Sequence, residues 1–388
     1  MIRSNIFISV AALIMGFFIF IPTTSVEAAT INAASCSITD IQTAINAAAT
    51  GDVITVPAGN CTWTAGINTA GKALKINGAG IDVTKITLSG SFDPVNINGC
   101  TETNNCEFSG FTFDPLLNSR VQRGTIVVYG TEMKKTFRIH HVKIINACAS
   151  NTSSSRTGGI VVRSSYGLID HVDISKSTLS NDCSLHAIEE SGAGDKEWNV
   201  SIPWGSDNTV VIEASRFDYC AGSASDDAFD AYNGAKYLAR FNDFLCTGVG
   251  AHGFDSGGYS GTVFMEYYAN KWDITKNAHY FEAIGYRSGT GAMHDNLVVQ
   301  NGTLQNYNFD SFAMLRMYRP WNPFGGIWGG RGAADGNPEK YCDNSGTHHY
   351  VNACEVDADC APNYGLCRAS LCRRIGDNVT PLTDSNNY

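Results

Sequence analysis

Beyond residue 100 the apolar positions fall into short runs that return at a near-constant interval. The segments FRIHHVKI, YGLIDHVDI, VVIEASRF, YLARFNDF, EYYANKW and MHDNLVV end on the apolar residues Ile144, Ile174, Phe217, Phe244, Trp272 and Val298. The last three steps between these anchors are 27, 28 and 26 residues, and the two before them are 30 and 43. Units this short and rich in β-branched and aromatic residues are strands. Each period therefore reads as one coil of a solenoid, and the longer steps as coils carrying loop insertions. The predicted fold class is all-β, a right-handed parallel β-helix.

The N-terminal pattern supplies a lid for it. In TDIQTAINAAA, Thr39 to Ala49, residues Ile41, Ala44, Ile45 and Ala48 share one helical face, Thr39 and Gln42 read as a capping box, and Gly51 ends the helix. The strand DVITVP follows at once. A helix with one apolar face shields the first coil, as an open solenoid end requires.

Stacked coils turn each aligned column into a ladder. The column before the anchor reads Lys143, Asp173, Arg216, Asp243, Lys271, so each charge faces its opposite on the next coil, a device that fixes register. One position further back, Asn242, Asn270 and Asn296 predict an inward amide ladder at a bend. A second segment type, GTIVVYG, GGIVVRS, DAFDAYN, HGFDSGG and HYFEAIG, aligns Ile126, Ile160, Phe229, Phe254 and Phe281 as inward anchors. The next position points outward and reads Val127, Val161, Asp230, Asp255, Glu282. Three carboxylates one strand spacing apart, roughly 4.8 Å, repel one another, so this column breaks the charge rule that the other obeys.

Composition narrows the class. Arg3, the apolar run from Ile6 to Ile21 and the small residues before Ala29 read as a secretory signal over 1–28. The run is shorter than the roughly 20 apolar residues of a spanning helix, so the mature chain is expected to have no membrane span. All 13 Cys follow the signal. Export makes disulfides their default use, and the odd count leaves at least one thiol unpaired. A Cys100–Cys106 loop is expected, and Cys220–Cys246, 26 residues apart, matches one period. A net charge of −10 argues against nucleic acid or anionic lipid as partner. The domains are then the signal, a β-helix with its cap over 29–320, and a Gly- and Cys-rich extension over 321–388. In that extension Cys354, Cys360, Cys367 and Cys372 suit a disulfide knot better than a metal site with His348 and His349. A monomer, extracellular or periplasmic, is expected.

The opening DIQTAINAAATGDVITVPAGNCTW, the following LKINGAG and the stacked coils resemble the pectate-lyase-like parallel β-helix superfamily over residues 36 to 320. GAKYLARFNDF, AHGFDSGGYSGT and MEYYANKW are similar to a bacterial secreted group of undefined function within it. The resemblance implies a polysaccharide or cell-surface glycan as partner. It also implies one of three uses: a lyase with Ca²⁺ held by carboxylates and an Arg or Lys base, a glycoside hydrolase with clustered Asp, or a binding or structural role. The polygalacturonase-like order is matched in part by Ser206-Asp207-Asn208, Asp226-Asp227 and Ala251-His252-Gly253, without the Arg-x-Lys that closes it.

Proton abstraction beside a uronate carboxyl needs that carboxyl neutralised and a base close to the proton. The Asp230, Asp255 and Glu282 column is expected to bind Ca²⁺ through its oxygens. Arg240, Lys236 and Arg287, in the same coils, are candidates for base or carboxylate clamp; for Arg240 the structural alternative is a rung partner of Glu213. Inverting hydrolysis would use Asp227 with Asp230 or Asp255. His252 and His279 occupy equivalent turn positions and are candidates for orienting substrate. Tyr232, Tyr267, Tyr268, Tyr280 and Tyr286 are candidates for sugar stacking wherever they point outward. The metal-assisted lyase is the expected activity, with the hydrolase and a non-catalytic adhesion protein as alternatives.

Overall fold

In the computed structural model the strands pair in parallel along the solenoid, and the pairing follows the sequence period. The structure describes residues 28–116, 123–130, 135–147, 157–176, 185–191, 209–220, 228–232, 234–250, 262, 264–273, 281–286, 290–299, 312–317, 340–343 and 366–369. Coils contribute strands to a sheet of 16, where paired segments flank a bend, and to a second sheet of six. The predicted anchors stack rung on rung, Ile144 to Ile174, Phe217, Phe244, Trp272 and Val298. The column runs back through Phe113 to Ile86. Phe217, Phe244 and Trp272 are fully buried, with centroids 5.3 and 4.9 Å apart and rings nearly parallel. Each such pair adds roughly 0.5–1.5 kcal/mol to what burial alone contributes. The 43-residue step is a single coil, because Asp173 pairs with Arg216, and it contains the strand Leu185–Ser191 of the second sheet.

The helix Ile38–Ala47 buries Ile41, Ala44 and Ile45 over the first coil. Its cap differs from the expected box. Ser37 is the N-cap and accepts from the Asp40 N–H, because Ser37 still has extended backbone while Thr39 is already helical. Gln42 instead reaches the neighbouring coil, accepting from the Asn68 N–H and donating to the Asn68 carbonyl. The helix ends in extended backbone at Ala48, ahead of Gly51. The Asp52 carboxylate then accepts the N–H groups of Ala49 and Ala29, which holds it below the usual carboxylate range.

Disulfides Cys100–Cys106 and Cys220–Cys246 form as the spacing predicts, with Cα separations of 5.2 and 5.0 Å. A third, Cys36–Cys61, ties the residue just ahead of the helix to the first coils. In the extension, Lys340–Asp343 pairs antiparallel with Leu366–Ala369, setting Cys342 opposite Cys367. Cys354, Cys360, Cys372, His348, His349 and the signal segment lie outside the described residues. Among the described residues no helix is long and apolar enough to cross a membrane.

The bend is made by left-handed backbone at one position per coil. His141, His171, Ala214, Phe241, Ala269 and Asp295 have φ of 51, 52, 48, 57, 53 and 54°. The next position turns inward and carries the predicted amide ladder, with Asn242 and Asn270 buried. At Gly110 and Gly78 the backbones of adjacent coils meet, and a Cβ on either would come within 2.4 Å of the other's carbonyl oxygen. Only glycine fits there. The charge column pairs as predicted, Lys143, Asp173, Arg216, Asp243 and Lys271 in successive rungs. Arg216 lies 3.4 Å from Asp173 and Lys271 3.9 Å from Asp243, while Lys143 turns back to Asp82 at 3.0 Å.

Candidate functional site

Asp230 and Glu282 do not fall in one register column, and Asp255, expected between them, lies outside the described residues. On the second sheet Ile126, Ile160, Ile188 and Phe229 are the stacked anchors, so Glu189 stands between Val161 and Asp230. Sequence alignment missed the LHAIEES strand because it lies inside the long insertion. Val127 and Val161 are completely buried and Asp230 is 8% exposed, so this column is covered and does not form an open strip. Further on, the Ala228 N–H donates to the Gly248 carbonyl and Val249 pairs with Ile284. Glu282 therefore stands two positions before that register and Asp230 two after it. Phe254 lies outside the described residues, and the described strand that pairs with Phe281–Tyr286 on this side is Val249–Gly250. Among the described residues no group of three or more His, Cys, Asp or Glu is placed to hold a metal ion, and Asp255 lies outside them.

The other expected site residues scatter. Asp227, His252, Asp255, His279 and Arg287 lie outside the described residues. Tyr232 closes the strand Phe229–Tyr232 opposite Ser191, and Glu282 and Tyr286 pair with Ala313 and Met317. Lys236 is 6% exposed, too covered for the outward contact expected of it, and Tyr267 belongs to the core. Arg240 is the rung partner of Glu213, with Nε 2.6 Å from the carboxylate and Nη1 2.7 Å from the Tyr268 hydroxyl. The bond to Tyr268, with that to Glu213, raises the guanidinium's pKa and favours its charged form.

A different strip of chemistry runs along the bend. The position before the bend residue stacks as Asn77, Ser109, His140, Asp170, Glu213, Arg240, Tyr268 and His294, and from Ser109 onward the residue that follows is left-handed. Beside it run the left-handed residues themselves. Two groups stand out along this double file.

The first group joins three coils. Arg138 donates to both oxygens of Asp170, from Nε at 2.8 Å and Nη2 at 2.9 Å. The Asp170 side chain is 2% exposed. Burial pushes its carboxyl up, but the bonds from Arg138 and His171 outweigh burial and leave it below its ordinary range. His171 Nδ1 lies 2.8 Å from Asp170, His140 Nε2 3.2 Å from Glu107, and the Nδ1 atoms of His140 and His141 are 2.8 Å apart. The rings of His141 and His171 stack across the coils with centroids 4.9 Å apart. Desolvation, then the neighbouring His140 and His171, lowers the pKa of His141.

The second group carries rings. Phe241 is 57% exposed at a left-handed position, where a bulky residue costs about 1–2 kcal/mol that glycine would avoid. Its ring meets Tyr268 edge-on, and Arg240 lies 5.8 and 5.9 Å from the two ring centroids. Tyr268 stacks on His294, and His294 Nε2 lies 3.6 Å from Glu266. An exposed ring held in strained backbone beside a guanidinium is suited to contact a flat polar ligand.

Comparison of the chain with protein-family models, with curated proteins and with solved structures gives no match, so the reading of this strip rests on its geometry.

Proposed function

We propose that the protein is a secreted, pectate-lyase-like β-solenoid that holds an extended acidic glycan along its bend and cleaves it by β-elimination. The observation that carries this reading is the unbroken file from Asn77 to His294, in which successive coils present amide, hydroxyl, imidazole, carboxylate, guanidinium and phenol groups about one strand spacing apart. A polymer can follow such a file, whereas a small ligand calls for a concave pocket. Phe241 and Tyr268 provide ring faces, Arg138 and Arg240 provide charge for carboxylates, and the histidines provide proton transfer near neutral pH. Arg138 and Arg240 are each paired with a carboxylate of the protein, so the guanidinium N–H groups left over, or an added cation such as Ca²⁺, would neutralise a uronate carboxyl.

The test is to incubate the protein with polygalacturonate, alginate and a neutral glucan, with and without chelator, following new double bonds and new reducing ends. Double bonds on an acidic polymer are expected, and the chelator arm tells whether Ca²⁺ is required. Reducing ends without double bonds would move the reading to hydrolysis. Binding without cleavage would leave a non-catalytic glycan-binding surface protein, a reading favoured by Arg240 being already engaged by Glu213 and Tyr268.

A further inference from the structure

We propose that His141 and His171 form a general acid–base pair, stacked across adjacent coils, that moves the protons on a sugar ring lying along the bend. The proposal rests on the glycan reading above and adds to it the residues that carry the chemistry.

The hydrogen bonds tie down Nδ1 of both rings and leave Nε2 as the nitrogen open to a substrate. The Glu107 carboxylate only accepts, so His140 carries its proton on Nε2 and offers the lone pair of Nδ1. With His140 in that neutral tautomer, His141 Nδ1 donates to it and His141 Nε2 keeps a lone pair. His171 donates from Nδ1 to Asp170, so its Nε2 is likewise the exchanging position. Among the described residues no partner meets either Nε2. Two parallel rings, each tied down by Nδ1, thus stand with centroids 4.9 Å apart and planes 7° apart.

The support behind them is rigid. Asp170 is buried and held by two bonds from Arg138, so it orients His171 as the carboxylate of a catalytic dyad does. The charged and titratable groups around the pair are Glu107 on one coil, Arg138 and His140 on the strand of His141, Asp170 beside His171, and Glu213 on the coil beyond. Burial and the two neighbouring imidazoles favour neutral His141, which suits it as the base.

The proton accounting closes. Neutral His141 takes the proton from the ring carbon bearing the carboxyl, and the C–H electron pair becomes the new C=C bond. The bond from the adjacent carbon to the glycosidic oxygen breaks with its pair on oxygen. His171, starting as the imidazolium on Asp170, protonates that oxygen from Nε2. Solvent then returns a proton to His171 and removes one from His141.

His141→Asn and His171→Asn are the variants to test, because Asn tolerates the left-handed backbone at both positions. On polygalacturonate and alginate each is expected to lose roughly 10²–10⁴-fold in elimination rate with retention in affinity gels unchanged. The acid limb of the wild-type rate profile is expected to move in His140→Leu, which removes the acceptor of His141 Nδ1. Cleavage by both variants within about threefold of wild type would overturn the pair and leave the glycan reading standing. Wild type that binds without cleaving would overturn the pair as well. Wild type that neither binds nor cleaves would remove the glycan reading, and the pair with it.

Discussion

Asn270 Oδ1 accepts both the backbone N–H and the Nδ2–H of Asn242, at 3.1 and 3.0 Å. Asn296 serves Asn270 in the same way. Each Nδ2 also donates to a carbonyl one coil back, Ile212, Ala239 and Tyr267 in turn. The ladder answers a need created by the bend. A left-handed residue at the bend, as at Ala214, Phe241 and Ala269, takes the next N–H out of the sheet's own hydrogen bonding, and in a dry interior that donor must find another acceptor. Toward the N-terminus Ser215 closes the run: its N–H donates to Asn242 Oδ1, and its hydroxyl accepts from the Val172 N–H. The same bend that needs this inward ladder turns His141, His171 and Phe241 outward, so the core device and the candidate site share one cause.

Asn270→Leu should therefore cost more than its apolar gain returns. It strands the Asn242 N–H and amide and the Ala239 carbonyl in a site where Asn242 is 2% exposed. A loss of about 2 kcal/mol or more is expected in urea unfolding. A loss below about 0.5 kcal/mol would mean that the amide ladder is not what satisfies the bend.

Asp243→Lys would put three cations in consecutive rungs with Arg216 and Lys271. Asp243 and Lys271 are about half exposed and 3.9 Å apart, so the expected loss is small, about 1 kcal/mol at low salt and less as salt is added. Thermal melting at two ionic strengths reads it, and a loss independent of salt would show that the column does not act through charge.

Much of this was legible in the chain because a steady period converts sequence alignment into spatial register. The anchors, the alternating charges and the asparagines needed nothing more. The second sheet was harder: its period is interrupted by the 43-residue step, and the strand holding Glu189 was invisible to an alignment that jumped from Val161 to Asp230. The strip at the bend was present in the same segments used for the anchors. Read further back, they give His140-His141, Asp170-His171, Glu213-Ala214, Arg240-Phe241, Tyr268-Ala269 and His294-Asp295. What the letters did not carry was that the second of each pair is left-handed and so turns outward. The cap was misread by two residues for a related reason, since Ser37 and Thr39 both suit the role and only backbone geometry chooses between them.

The last prediction concerns Arg138 and Asp170. The carboxyl of Asp170 sits below its ordinary value because the bonds from Arg138 and His171 outweigh the opposing effect of burial. A depressed folded value means that the ionised group contributes its full stability above the unfolded value, about 3.9, and loses it as pH falls through the lower folded value. Asp170→Asn removes that titration. The stability gap between wild type and Asp170→Asn should thus be flat above about pH 5 and close below about pH 4. Arg138→Leu keeps the buried carboxylate and removes its main partner, so burial then dominates and the carboxyl titrates at higher pH. Because the Arg138 side chain is 46% exposed, the neutral-pH loss should fall short of a fully buried pair, at about 2 kcal/mol. Its acid limb should begin at higher pH than that of wild type. Melting curves for the three proteins across the acid range decide the matter: coincident acid limbs for wild type and Arg138→Leu would show that the guanidinium does not hold Asp170 ionised.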